Sequence, residues 1–195
     1  MYKFSNPPQD LFNYYQFHSP LDESTINTIL NLIHPLKETS GIIMDKEEVQ
    51  PNRSSNIKWV PFTPPYKKIY NLLDSLITQA NKDLFNFKIL NSLDNIQYTE
   101  YLSSNGGEYD WHVDAGPISD RKLSLTIQLS DPSEYEGGEL QILPYGIDNM
   151  DNILTLPKEK GKVIVFPSYL LHRVTPITKG TRKSLVWWVG GCPFR

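Results

Sequence analysis

The chain has 195 residues, of which 39% are hydrophobic and 21% charged, and its formal net charge is −3. This length suits one substantial core, so we expect a single domain over residues 1–195. The acidic balance argues against a nucleic-acid partner. No apolar stretch is long enough for a signal sequence or a membrane span. The only cysteine, Cys192, rules out an internal disulfide framework and a multi-cysteine metal site, and it favours a reducing compartment, so we predict a cytoplasmic location.

Two helices are predicted in the amino-terminal part of the chain, up to about residue 90. The first is expected to take Ser19 as its N-cap, with Pro20 at its first position, and to end at Pro35. The second is expected to start after Thr63-Pro64-Pro65. Apolar residues recur at helical spacing in both, namely Ile26, Ile29, Leu30 and Ile33 in the first and Ile69, Leu72, Leu73, Leu76, Ile77, Ala80 and Leu84 in the second. We therefore expect both helices to pack against a core.

From about Ile96 the hydrophobic period changes to two, which predicts a β structure over about residues 95–190. Strands are expected at 96–102, 110–114, 122–130, 139–143, 161–167 and 182–189. The third of these alternates strictly, with apolar Leu123, Leu125, Ile127 and Leu129 against polar Ser124, Thr126 and Gln128. At this point the polar face can belong either to the solvent or to the lining of a pocket.

A metal site is indicated by two histidines and one aspartate. In Trp111-His112-Val113-Asp114, residues two apart on a strand point to one face, so an imidazole and a carboxylate can meet. His172 follows another apolar strand and can complete the set, whereas His18 and His34 lie beside prolines and are expected to be structural or solvated. Two imidazoles and one carboxylate form the facial triad of non-haem Fe(II) enzymes, although zinc hydrolase chemistry also fits such a set.

Arg182 is the second unusual residue of the predicted β region. It shares one strand face with Ser184, Val186 and Trp188, and an inward-facing guanidinium is costly unless it is paired. The rigid fork suits a bidentate carboxylate, so the partner is either a bound ligand or a core Asp or Glu in a structural ion pair.

The order of His112, Asp114, His172 and Arg182, together with three further motifs, resembles a known family. The motifs are Asn52-Arg53-Ser54-Ser55-Asn56-Ile57-Lys58-Trp59, the stretch from Leu123 to Leu140 with its Gly137-Gly138 turn, and Gly161-Lys162-Val163-Ile164-Val165-Phe166-Pro167. From roughly Arg53 to Val189 the chain resembles the prolyl 4-hydroxylase branch of the Fe(II)/2-oxoglutarate oxygenases, and most of all the small bacterial and phage hydroxylases labelled PKHD-type.

This resemblance implies a double-stranded β-helix, a jelly-roll and cupin-like fold with flanking helices. It implies His112, Asp114 and His172 as the iron ligands and Arg182 as the residue that binds the distal carboxylate of the cosubstrate 2-oxoglutarate. The cosubstrate pocket is expected to be lined also by Tyr101, Gln128, Leu140, Ser184 and Trp188. One departure concerns Gln128, because animal-type prolyl hydroxylases generally carry there a tyrosine that hydrogen-bonds this carboxylate.

The activity implied by the resemblance is the hydroxylation of a C–H bond with dioxygen, coupled to decarboxylation of 2-oxoglutarate to succinate and carbon dioxide, with ascorbate as a possible reductant. A prolyl residue of a peptide or protein is the first substrate hypothesis, and a free amino acid or other small metabolite is the second. A non-catalytic module that binds 2-oxoglutarate or metal is the alternative from another class. Substrate choice is expected to depend on loops 43–62, 103–110 and 131–138, in which Arg53 and Trp59 either contact substrate or brace their loop.

Overall fold

The alternating pattern of the carboxyl-terminal half does produce strands. A computed structural model describes residues 14–41, 53–92, 94–116, 120–144 and 151–192. Its strands are, in chain order, β1 (Tyr15–Gln16), β2 (Thr39–Ser40), β3 (Arg53–Ser54), β4 (Asn56–Val60), β5 (Ile89–Asn91), β6 (Ile96–Leu102), β7 (Glu108–His112), β8 (Arg121–Gln128), β9 (Tyr135–Gly137), β10 (Leu140–Leu143), β11 (Leu154–Thr155), β12 (Val163–Pro167), β13 (Leu171–Val174) and β14 (Ile177–Gly191).

These strands form two antiparallel sheets. The larger has the order β1-β12-β8-β14-β6-β4-β2, with β5 and β9 also paired to β14, and the smaller has the order β11-β10-β13-β7-β3. Except for β10 and β11, paired neighbours are not consecutive strands of the chain, as expected of a jelly roll rather than a meander. The predicted fold class, mainly β with flanking helices, is confirmed.

Strand β8 shows how the alternation separates two interiors. Leu123, Leu125 and Ile127 belong to a core that also contains residues of both helices. Ser124 and Gln128 lie on the opposite face, and they too are buried, with exposures of 0% and 1%. A second apolar cluster, which includes residues of β10, β12 and β13, lies on this inner side. The polar face of β8 therefore belongs to the protein interior and not to solvent.

Helix α1 (Glu23–Ile33) starts three residues later than predicted, at Glu23 and not at Pro20. Asp22 is the N-cap, and its side chain accepts a hydrogen bond from the Thr25 backbone N–H at 2.7 Å. The prediction of Ser19 was wrong because Leu21 N donates to Gly161 O at 2.8 Å, which ties this segment to the turn before β12. The helix ends near the expected Pro35, and Ile26, Ile29 and Ile33 are buried as predicted.

Helix α2 (Lys67–Ala80) follows a 3-10 turn at Pro64–Tyr66 and continues into a π-helical turn at Asn81–Phe85, in which the predicted core residue Leu84 lies. Of the seven positions in its predicted stripe, Ile69, Leu73, Ile77 and Ala80 are fully buried, and the other three are half-buried. No helix within the described residues is long and apolar enough to cross a membrane.

Strand boundaries depart from the prediction where they matter for the site. The predicted strand 110–114 ends at His112, so Asp114 follows the strand instead of lying on it. The predicted strand 182–189 is part of the much longer β14. The predicted loop 43–62 contains β3 and β4, and its residues 43–52 lie outside the described part of the chain. The predicted loop 103–110 contains a 3-10 turn at Ser103–Asn105 and the start of β7, and the predicted loop 131–138 contains a 3-10 turn at Pro132–Glu134 and all of β9.

Candidate metal centre and carboxylate site

The two histidines of the predicted triad lie on neighbouring strands of the small sheet. His112 ends β7, and the ladder pairs it directly with His172 of β13. Opposed residues on antiparallel strands place their side chains on the same face, and the two imidazole centroids are 4.1 Å apart. His18 and His34 are both exposed, as expected of solvated residues.

Asp114 reaches the same point from the segment after β7. Its backbone N–H and that of Ala115 both donate to Ser168 O at 2.9 Å, which folds the chain back after the strand. Asp114 Oδ2 then lies 3.4 Å from His172 Nε2, and Asp114 Oδ1 lies 3.9 Å from His112 Nε2. One ligand atom from each of the three residues lies within 4.8 Å of the other two. The structure therefore brings the predicted triad together, although by a tight turn and not by strand alternation.

Backbone carbonyl groups orient both imidazoles. His112 Nδ1 lies 2.7 Å from Asp110 O, and His172 Nδ1 lies 2.8 Å from Leu170 O. A carbonyl oxygen only accepts, so each Nδ1 carries a proton and each Nε2 presents its lone pair to the centre of the cluster. Aromatic rings pack on the other sides, with Tyr109 stacked on His112 at 3.4 Å and Phe166 against the edge of His172 at 4.8 Å.

The protonation states of the cluster suit a divalent metal. Burial, and then the electrostatic interaction with His172, lowers the pKa of His112 to about 3. Burial alone would raise the pKa of Asp114, but the two histidines and the hydrogen bond from Ser124 outweigh it, so the pKa of Asp114 is lowered. Near neutral pH the site thus holds a neutral imidazole at His112 and an ionised carboxylate, which are the forms that bind metal.

A serine pair holds the carboxylate of Asp114. Ser124 Oγ donates to Asp114 Oδ2 at 2.6 Å, and Ser124 Oγ lies 2.9 Å from Ser168 Oγ. Both serines are fully buried, with exposures of 0%. Sequence analysis identified Ser124 only as part of a polar face and gave no role to Ser168 or Tyr109, since neither position carries a signal without the fold.

Arg182 is buried in β14 with an exposure of 2%. Its Nη2 donates to Gln128 Oε1 at 2.9 Å and its Nη1 donates to Ser184 Oγ at 3.4 Å, both neutral acceptors. Across the described residues, no Asp or Glu forms an ion pair with it, so a structural ion pair does not explain its burial. Burial lowers the pKa of the guanidinium, and the neighbouring Tyr101 and Tyr135 oppose this effect only in part.

One cavity of about 670 Å³ joins the histidine–aspartate cluster to Arg182. Its wall contains all of the predicted cosubstrate residues except Gln128, which is buried against the guanidinium. Arg53 and Trp59 of the predicted substrate loops also line it, and the Arg53 guanidinium stacks over the Tyr109 ring at 4.7 Å. The predicted residues in the wall are Tyr101, His112, Asp114, Leu140, His172, Arg182, Ser184 and Trp188.

Comparison with known proteins agrees with this arrangement. Residues 96–190 match the model of the 2OG-Fe(II) oxygenase superfamily. A PKHD-type hydroxylase of Prochlorococcus marinus is 39% identical over 89 residues, which are 45% of this chain and 38% of that protein. A PKHD-type hydroxylase of Cupriavidus metallidurans is 37% identical over 107 residues, which are 50% of this chain and 45% of that protein. The chain thus spans less than half the length of these relatives.

Solved structures share the fold over most of the chain. A Trichoplax adhaerens prolyl hydroxylase, in complex with a peptide fragment of the hypoxia inducible factor oxygen degradation domain, has a TM-score of 0.74 at 19% identity, covering 91% of this chain and 83% of its own. A Pseudomonas putida prolyl-4-hydroxylase has a TM-score of 0.65 at 19% identity, covering 93% and 94%. At this identity the likeness concerns the fold.

Proposed function

We propose that this chain, in which residues 96–190 form a 2OG-Fe(II) oxygenase domain, is an Fe(II)- and 2-oxoglutarate-dependent dioxygenase that hydroxylates a C–H bond. The observation that carries the proposal is that Arg182, which is buried and has no carboxylate partner among the described residues, lies in the same cavity as His112, Asp114 and His172. A metal-binding triad alone would also suit a zinc protein. The cation in the same cavity adds the need for a carboxylate ligand.

The triad residues hold the metal in this proposal. His112 and His172 present Nε2 atoms whose orientation is fixed by backbone carbonyls, and Asp114 contributes one carboxylate oxygen while Ser124 holds the group. Three protein ligands on one side leave the other coordination positions free for cosubstrate and dioxygen. When bound, iron and 2-oxoglutarate would supply the activation of dioxygen, in which one oxygen atom enters succinate as 2-oxoglutarate loses carbon dioxide and the other enters the substrate as a hydroxyl group.

Arg182 would bind the distal carboxylate of 2-oxoglutarate through its guanidinium fork. Ser184 and Tyr101 flank it, because Arg182 is the ladder partner of Tyr101 and its Nη1 contacts Ser184 Oγ. Leu140 and Trp188 form apolar parts of the same wall and would keep water from the cosubstrate. Gln128 would act through Arg182, which it holds by its amide oxygen.

For the substrate we propose a prolyl residue in a peptide or protein. Support comes from the prolyl hydroxylases that share the fold, one of which was solved with a peptide fragment. Arg53 and Trp59 line the cavity, and in this proposal they contact the substrate. A free amino acid or other small metabolite is the second candidate. The predicted cytoplasmic location, single-domain organisation and use of ascorbate stay predictions.

The first test is an anaerobic titration of the Fe(II)-loaded protein with 2-oxoglutarate, followed by the charge-transfer absorption of the chelate. We expect Arg182→Lys to weaken 2-oxoglutarate binding about 10- to 100-fold, because a point charge replaces a bidentate fork, a loss of about 1.5–3 kcal/mol. His172→Ala or His112→Ala should abolish both the absorption and turnover, since one of three protein ligands is lost. Wild-type absorption without any succinate formation would instead favour a non-catalytic 2-oxoglutarate sensor.

The second test concerns the substrate. Proline-containing peptides, incubated with enzyme, Fe(II), 2-oxoglutarate and air, should increase succinate formation and gain about 16 Da, the mass of one oxygen atom, as the enzyme couples oxidation to a bound target. Mass spectrometry of a peptide library measures the gain, and Arg182→Lys serves as the low-activity control. Oxidation of a free amino acid with no oxidised peptide would contradict the peptide hypothesis.

A further inference from the structure

Two neighbouring hydrogen-bond donors beside the carboxylate site are buried without an acceptor. They are Arg182 Nε and the hydroxyl group of Tyr135, whose side chain is 3% exposed. A buried donor left unpaired costs stability, and native proteins rarely keep two together. Sequence analysis placed Tyr135 only in the stretch before the double-glycine turn, without a role.

Packing brings both the Tyr135 ring and the Arg182 side chain close to Gly138. A Cβ atom at Gly138 would lie 3.0 Å from Arg182 Cδ and 3.3 Å from Tyr135 Cε2. Strand β9 brings Tyr135 there, because it pairs with the start of β14, the strand that also carries Arg182. The two side chains also interact with each other, both electrostatically and through a weak hydrogen-bond contact between the phenol oxygen and the guanidinium. The Tyr135 hydroxyl opposes the effect of burial on the pKa of Arg182, and the cation does the same for the pKa of Tyr135.

The two side chains that already accept hydrogen bonds from Arg182 do not accept one from Arg182 Nε or from the Tyr135 hydroxyl group. Gln128 Oε1 accepts from Nη2 and Ser184 Oγ lies near Nη1, which leaves Nε and the phenol hydroxyl. If the phenol oxygen accepted from Nε, its own proton would still lack a partner. An anionic oxygen, which offers several lone pairs, is the group that can accept from a guanidinium and a phenol at once.

We propose that Tyr135 is a binding residue for the distal carboxylate of the cosubstrate, to which its hydroxyl group donates a hydrogen bond beside Arg182. This inference rests on the proposed function and adds a residue to it. In this protein, Gln128 holds the guanidinium and Tyr135 provides the neutral donor. Selectivity for a dicarboxylic 2-oxo acid then depends on Tyr135 as well as on Arg182.

The experiment compares two probes on the Fe(II)-loaded protein under anaerobic conditions. 2-Oxoglutarate carries the distal carboxylate, and 2-oxopentanoate has the same chain length without it. We expect Tyr135→Phe to weaken 2-oxoglutarate binding about 10-fold, as for the loss of one hydrogen bond to a charged group, and to leave 2-oxopentanoate binding unchanged. Tyr15→Phe, which removes a surface hydroxyl that donates to Asp83 at 2.9 Å, is the matched control and should change neither affinity.

A rescue separates ligand binding from packing. In Tyr135→Phe, the further change Gln128→Tyr introduces a phenol next to Arg182 from β8 and should restore part of the preference for 2-oxoglutarate. A Tyr135→Phe variant that keeps the wild-type ratio of the two affinities overturns the role of Tyr135, as does equal weakening of both probes. If the wild-type protein itself binds both probes equally well, the carboxylate site and the proposed function fail together.

Discussion

At the scale of single residues, the candidate site is a set of side chains that face one cavity and await a metal ion and a carboxylate, neither of which the protein supplies. His112 and His172 turn unprotonated nitrogens to one point, and Arg182 turns a buried cation toward the same cavity. The placement of Arg182 is costly without a ligand, because burial disfavours a charge that has no counterion. The site is therefore built for binding, at some expense of stability.

Ser124 allows a prediction about the metal. Its hydroxyl group donates to Asp114 Oδ2 at 2.6 Å and is itself fully buried. We expect Ser124→Ala to weaken Fe(II) or Co(II) binding about 10- to 100-fold, since loss of a group that orients a ligand has effects of this size. Metal titration monitored by Co(II) absorption measures the change. Ser75→Ala, which removes a bond to Leu72 O on the exposed side of α2, is the control, and equal affinities for both variants would contradict the prediction.

The sequence predicted the chemistry of the site better than its geometry. His112, Asp114, His172 and Arg182 were identified because their residue types are rare in the interior of a sheet and their order is distinctive. The predicted position of Asp114 on the same strand as His112 was wrong. Asp114 lies in a turn that depends on Ser168 O, which comes from a distant segment. Tyr135 could not be assigned for the same reason, as its role depends on contacts with another strand.

At the scale of elements, the turn between β9 and β10 positions both Tyr135 and Arg182. Gly137 and Gly138 have φ angles of 77° and 64°, in the left-handed region that favours glycine. The positive φ angles thus explain why glycine occupies both positions. At Gly138 there is also no room for a side chain, because Arg182 and Ile177 pack against it. The predicted turn entering a strand is confirmed here.

Gly138→Ala should affect both stability and the carboxylate site. The new Cβ would lie 2.2 Å from Ile177 Cδ1 and 3.0 Å from Arg182 Cδ at a positive φ, so we expect a loss of about 2 kcal/mol in the free energy of unfolding. Displacement of Arg182 should also weaken 2-oxoglutarate binding. Denaturant unfolding and the 2-oxoglutarate titration measure the two effects.

The control for this variant is Gly161→Ala. Gly161 has a φ of 81°, and a Cβ there would lie 2.4 Å from Leu21 O, near the start of α1. We expect a comparable loss of stability with unchanged 2-oxoglutarate affinity, since Gly161 lies outside the cavity wall. Equal weakening of 2-oxoglutarate binding in both variants would show that affinity follows general stability and not the position of Arg182.

Helix α1 shows where local patterns fail at this scale. Ser19-Pro20 is an ordinary helix start, but the backbone bond from Leu21 to Gly161 holds this segment extended, and Asp22 takes over the cap. Tertiary contacts outweighed a capping preference of about 1 kcal/mol. The apolar stripe predicted its burial correctly, because burial of a whole face involves a larger free energy than one cap.

At the scale of the whole molecule, the proposed ligands connect the two sheets. His112 and His172 belong to the small sheet, whereas Arg182 and the residues that hold it belong to the large one. The two helices pack on the outer side of the large sheet, so they contribute to the core and not to the cavity wall. A metal chelated by 2-oxoglutarate would thus add a link between sheets that otherwise meet through the apolar cluster on the inner side.

This bridging predicts ligand-dependent thermal stability. A ligand that binds only the folded state at 100 times its dissociation constant contributes about 2.7 kcal/mol, which corresponds to an increase in Tm of about 5–10 °C for a chain of this size. We expect metal alone to raise Tm, and 2-oxoglutarate to raise it further only when metal is present. Anaerobic calorimetry with Fe(II), or with Zn(II) in air, measures both increases in Tm.

Arg182→Lys should keep the increase in Tm caused by metal and lose most of the increase caused by 2-oxoglutarate. With the wild-type protein, 2-oxopentanoate should give a smaller second increase than 2-oxoglutarate. A second step of equal size in wild type and Arg182→Lys would mean that the cosubstrate does not connect the two sheets through Arg182.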